Sequence, residues 1–130
     1  MSILKYTSYF ILSPAIVGAY LGLWPDVLLT TSHTIISAYY HSTYSPTLLI
    51  VDRTALLLVL LRCLWLSLYT YTTICIGIVS FTYLGTIYVY GYKNKCFAFH
   101  PDIRIGDRYH ASMHLFCSLL YASGLLILFN

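Results

Sequence analysis

The chain has 130 residues, 59% of them hydrophobic and only 8% charged, and its mean hydropathy is +0.77. A water-soluble domain carries roughly 25% charged residues, so the composition excludes an ordinary soluble globule and points to an all-α, polytopic membrane protein with a single domain over 1–130. The net charge of +3 is too small and too scattered for a nucleic-acid surface.

In chain order, the first apolar segment is expected over 6–23. Lys5 precedes it, but no small-x-small cleavage site follows, so it reads as a first span rather than a removed signal. It carries Gly18-x-x-x-Gly22, a spacing that lets a neighbouring helix approach closely. Trp24-Pro25-Asp26 reads as a turn with an interfacial aromatic. A second span over 27–41 ends in His41-Ser42-Thr43-Tyr44-Ser45-Pro46, a polar stop closed by a proline. From Thr47 to Tyr92 no loop is obvious. A helix of about 40 residues would be ~60 Å long, about twice the hydrocarbon thickness, so the chain must turn. The least apolar stretch is 67–73, which gives spans over 48–66 and 73–90. A polar connection with Lys93, Lys95, Asp102, Arg104, Asp107 and Arg108 follows, and a fifth span covers 109–129.

Five spans place Lys5, Arg53, Lys93, Lys95, Arg104 and Arg108 on one side. Basic residues mark the cytoplasmic face, so the expected topology is N-in and C-out. The tyrosines near the expected interfaces, among them Tyr6, Tyr39, Tyr44, Tyr88 and Tyr109, read as an aromatic belt. Four cysteines, Cys63, Cys75, Cys96 and Cys117, make no CxxC pair, and at least three lie within apolar runs, so they read as buried thiols rather than as a disulfide framework.

The chemistry gathers at the cytoplasmic ends of three spans. His110 and His114 are one turn apart and share a helix face, a spacing at which two imidazoles can grip one metal ion. Ser37 and His41 repeat that relation, and Asp52 follows eleven residues on. His41, His110 and His114 would supply three ligands and leave a fourth position for water, as catalytic zinc requires. The ion would lower the water's pKa to roughly 7. Asp52 is then the candidate general base, and Ser37 the candidate donor to the water or a developing oxyanion. His33, on the same stripe as His41, reads as an alternative ligand or as packing glue. Cys117 lies one turn past His114 and reads as a buried thiol. Arg62 is either an intramembrane functional charge or a side chain that snorkels to the far face.

Ser37-x-x-x-His41, then Asp52, then His110-Ala111-x-x-His114 at the start of the last span, resembles the alkaline ceramidases. More broadly it resembles the superfamily that joins them to adiponectin and progestin-type receptors and haemolysin III-like proteins. The resemblance covers about 37–129. It implies an intramembrane zinc site with His41, His110 and His114 as ligands, and with Asp52 and Ser37 around the water. It further implies hydrolysis of a ceramide-like membrane lipid. The family usually has seven spans, whereas this chain has room for about five. Residues 1–25 contain no acidic residue, so the ceramidases' calcium-binding stretch is not carried over.

The expected function is therefore a zinc-dependent intramembrane lipid amidase, with a homo-oligomer completing the cavity as one arrangement. Two other classes stand beside it. One is a haem-binding anchor of an electron-transfer complex, although two histidines one turn apart do not bracket a haem. The other is a non-catalytic, receptor-like or accessory protein that keeps the metal for structure.

Overall fold

A computed structural model describes residues 3–130. The chain starts with α1 (Ile3–Thr7), a 3-10 stretch over Ser8–Leu12, and α2 (Ser13–Tyr20). These follow one another without a non-helical residue and form one rod. The rod stops at Gly22, whose φ of +73° suits a residue without a Cβ. Gly22 is thus a turn residue, and only Gly18 of the expected close-approach pair lies in a helix. A Cβ on Gly18 would sit 3.3 Å from both Leu23 O and Val27 Cγ2, so this glycine lets α2 and the next helix meet.

That helix, α3 (Trp24–Thr43), has Pro25 in its first turn, where a missing N–H costs nothing. Trp24, Pro25 and Asp26 therefore open a helix rather than forming the expected turn. Tyr44 ends α3 in the left-handed conformation, with its N–H on Tyr40 O. Pro46 then starts α4 (Pro46–Ser67). The chain breaks at Leu68–Thr70, and α5 (Tyr71–Gly85) begins with a reciprocal cap between Thr70 and Thr73. A π-helical turn over Thr86–Tyr90, a short α6 (Gly91–Asn94) and a 3-10 turn over Phe97–Phe99 complete this arm. The Asp102 side chain accepts the Arg104 N–H at 2.9 Å and caps α7 (Ile103–Phe129), which starts ahead of the expected 109.

All of these elements are helical, and no strand occurs among the described residues. The rod packs on α3 and α7, α3 pairs with α4, and α7 also packs on α5. Two stretches, Tyr71–Phe99 and Ile103–Phe129, are long and apolar enough to cross a membrane. The four cysteines are free thiols; Cys63, Cys96 and Cys117 are half-buried, and Cys75 is exposed rather than buried.

The bundle has an apolar outer surface, and several polar groups lie inside it beside the apolar core. Ser8, Asp26, Thr30, His33, Ser37 and Asp52 are buried, whereas Ile50, Leu57, Leu61, Ile74, Ile78 and Val79 are exposed. An apolar core of Val59, Leu66, Tyr121 and Leu125 sits toward one end. At that same end Asp26 is 0% exposed and paired with Arg62. Asp26 therefore does not lie in a surface turn, and Arg62 turns inward rather than snorkelling.

Candidate metal centre

At the other end, α3 and α7 bring three imidazoles together. One ring nitrogen from each of His41, His110 and His114 lies within 4.8 Å of the others. The ring centroids are 5.1 Å apart for His41 and His110, 5.6 Å for His41 and His114, and 4.9 Å for His110 and His114. The i, i+4 spacing in α7 stacks its two rings on one face, and the last turn of α3 supplies the third.

His41 tests whether a metal fits. It is 3% exposed, and neither ring nitrogen has a hydrogen-bond partner. Burying a polar group without a partner costs free energy, and a neutral imidazole carries one free lone pair. A metal ion shared with His110 and His114 would satisfy that lone pair.

The tautomer of His114 follows from its neighbours. Its Nδ1 lies 3.2 Å from Thr7 Oγ1, and the Thr7 hydroxyl donates to Leu4 O at 3.3 Å. With its proton directed there, the threonine oxygen is left to accept the Nδ1–H of His114. That hydrogen-bond network assigns the lone pair to Nε2 and orients the ring, as outer groups do for metal-binding histidines. Thr7 was not among the site residues expected from the sequence. Its signal is a Thr-Ser pair inside an apolar run, which is too common to be read alone.

Ser37 and Asp52 are both inside the bundle, at 1% and 5% exposure. Ser37 Oγ lies 3.2 Å from Ser8 Oγ, and the Ser8 hydroxyl also reaches Leu4 O at 2.8 Å. Ser37 and Asp52 line the same cavity. Asp52 Oδ1 faces His33 Nε2 at 3.8 Å. His33 therefore lies against the carboxylate and is outside the three-histidine group.

The π-helical turn adds a further group. Such turns carry one extra residue and often occur at functional sites. Here the turn contains Tyr88, whose ring lies 6.4 Å from that of His110. The Tyr88 hydroxyl accepts a hydrogen bond from Arg53 Nη1, and the guanidinium lies 5.1 Å from the ring centroid. Tyr88 therefore faces the site and does not belong to an outer belt, while Tyr6, Tyr39, Tyr44 and Tyr109 are exposed. A cavity of about 90 Å³ runs from Asp52, Arg53, His110 and His114 to Cys117 and Tyr121. Cys117 lines the same cavity but is outside the three-histidine group, and His100 lies in the loop, where its Nδ1 accepts the Asp102 N–H at 3.0 Å.

Compared with protein-family models, curated proteins and solved structures, the chain matches none.

Proposed function

We propose that this protein is a polytopic membrane hydrolase in which His41, His110 and His114 hold zinc, and that it cleaves the amide bond of a membrane lipid. The observation that carries this reading is the buried His41 ring, unpaired at both nitrogens and within 4.8 Å of two further imidazole nitrogens. The resemblance to the alkaline ceramidase superfamily, residue by residue at Ser37, His41, Asp52, His110 and His114, supports it.

The membrane reading rests on the apolar outer surface and on the polar groups held inside. A helix that is apolar on its outer surface and polar inside matches a lipid surround. The three charges of α4 are all drawn into the bundle, Asp52 toward His33, Arg53 to Tyr88 and Arg62 to Asp26. The helix can thus cross lipid although its composition counts against it. In this reading the rod, α3, α4, the α5 arm and α7 are five spans. The metal end lies on the cytoplasmic side with Lys5, Lys93, Lys95, Arg104 and Arg108, N-in and C-out.

Zinc in this position would supply a Lewis acid and bring the pKa of a water near neutrality. Asp52, which lines the same cavity as His110 and His114, would serve as general base toward a water there and as general acid toward the amide nitrogen as the C–N bond breaks. Ser37, whose proton is directed to Ser8 Oγ while Ser8 donates to Leu4 O, would turn from Ser8 to donate to the oxygen on which charge develops. The products are a fatty acid and an amine.

Elemental analysis of detergent-purified protein tests the reading. About one zinc per chain is expected, lost in His110→Ala and His114→Ala. Hydrolysis of a single-chain N-acyl amide in mixed micelles should vanish in Asp52→Asn with zinc retained. Zinc without hydrolysis of any lipid amide would leave a receptor-like or accessory role. A Soret band in place of zinc would indicate a haem anchor, and a folded protein without metal would overturn the reading.

A further inference from the structure

Arg53 is drawn into the bundle beside the histidines and lines the cavity together with Asp52, His110 and His114. Among the described residues the ion pairs are Arg62–Asp26, His33–Asp52 and Arg104–Asp102. Arg53 is therefore held by the Tyr88 hydroxyl and ring rather than by a carboxylate. A cation within a membrane bundle is costly unless it meets a partner or serves a function.

Its geometry shows what it can meet. Nη1 is committed to Tyr88, which fixes the plane of the guanidinium and leaves other N–H donors of the fork free. A planar fork with free donors matches a carboxylate or a similar oxyanion. Charge favours the same partner. The three histidines are neutral as ligands, Asp52 carries the only carboxylate lining the cavity, and Arg53 offsets it. A divalent ion in the site would leave an excess of positive charge, which attracts an anion.

Size narrows the class further. The cavity of about 90 Å³ is well below the roughly 300–1,000 Å³ of a pocket that encloses a drug-sized molecule. It admits one small head and the carbons next to it, not two chains. Its lining combines the apolar Leu56, Val59, Leu84 and Met113 with Thr30, Ser80 and Ser118.

We propose that Arg53 reads an anionic headgroup, so that the preferred ligand is a single-chain N-acyl amino acid, with a carboxylate close to its amide, rather than an uncharged N-acyl amine. The reaction assigned to that ligand rests on the hydrolase reading, while its binding does not. Water adds across the C–N bond, its oxygen to the acyl carbon and its hydrogens to the nitrogen and the leaving carboxylic acid. A fatty acid and a free amino acid result, and no oxidant or reductant is needed.

The test is equilibrium binding of radiolabelled N-dodecanoylglycine and N-dodecanoylethanolamine to protein in non-ionic detergent. Wild type, Arg53→Gln and Arg53→Lys are compared, zinc-loaded and chelator-stripped, with zinc measured in the same samples. The acid should bind wild type roughly tenfold more tightly than the uncharged amide. That ratio should narrow without vanishing on stripping, fall close to one in Arg53→Gln, and be partly kept in Arg53→Lys, which retains charge without the fork. A wild-type ratio near one overturns the proposal, as does an unchanged ratio in Arg53→Gln or a ratio that disappears on stripping. Should Arg53→Gln fail to fold, the wild-type ratio and the lysine variant still decide. A zinc-free wild-type protein that keeps the ratio supports Arg53 as the reader and removes the hydrolase reading. Zinc present without the ratio overturns this proposal alone.

Discussion

Arg62 of α4 grips Asp26 of α3 through two parallel hydrogen bonds, Nε to Oδ1 at 2.9 Å and Nη2 to Oδ2 at 2.7 Å. The Tyr121 hydroxyl of α7 donates to the same Oδ1 at 2.5 Å, and the guanidinium lies 4.6 Å from the Trp65 ring centroid. One buried carboxylate thus ties three helices together at the end opposite the histidines. Removing one member of a buried pair strands the other charge. Asp26→Leu should therefore cost about 3–5 kcal/mol. The double variant Asp26→Leu/Arg62→Leu should recover most of that loss, read as the thermal midpoint in detergent. A double variant no more stable than Asp26→Leu would show that the stranded charge is not the cause.

Helix contact at Gly77 is the next point of strain. A Cβ there would lie 2.7 Å from Ser67 Cβ, an atom too close to its own backbone to swing away. Gly77→Ala should lower stability by about 1–3 kcal/mol. Gly124, where an added Cβ meets nothing within 4 Å, is the control. Gly124→Ala should be neutral or slightly stabilising, since alanine favours a helix by about 1 kcal/mol. Equal losses in both variants would dismiss the contact as the source.

Thr7 tunes the metal site through His114. Thr7→Val keeps the shape but removes the oxygen that accepts the Nδ1–H. Zinc affinity should fall roughly 10- to 100-fold, measured by competition with a chromophoric chelator, and Thr7→Ser should restore most of it. Unchanged affinity in Thr7→Val would mean that the ring is oriented by packing alone.

His33 separates a positioning role from a ligand role. His33→Ala should leave about one zinc per chain and lower amide hydrolysis roughly 10- to 100-fold, because Asp52 loses the group 3.8 Å away. His33→Gln, which keeps a polar group facing the carboxylate, should keep much of the rate. Loss of zinc in His33→Ala would make His33 a ligand instead.

Chelation should also register in stability. A metal bound only by the folded state stabilises it in proportion to the logarithm of its free concentration. A chelator should therefore lower the thermal midpoint of wild type, and added zinc should restore it. In His110→Ala/His114→Ala the midpoint should not respond to either, and an equal response there would place the stabilising metal elsewhere.

Much of this protein was legible in the chain because it depends on local period. The apolar composition and the spacing of its interruptions led to an all-helical reading, and the structure is helical throughout its regular elements. The i, i+4 spacing of His110 and His114 is likewise local, since 3.6 residues per turn stacks such a pair wherever the helix lies. Only tertiary structure decided which distant groups meet. Thr7 and His114 are 107 positions apart, Asp26 and Tyr121 are 95, and Arg53 and Tyr88 are 35. No periodicity links such positions, because their contact depends on how the rod, α3, α4 and α7 are stacked and rotated. Asp26 shows the difference most clearly. Beside a proline and a tryptophan it reads as a surface turn, yet folding buries it, because Arg62 and Tyr121 arrive from two other helices to satisfy its charge.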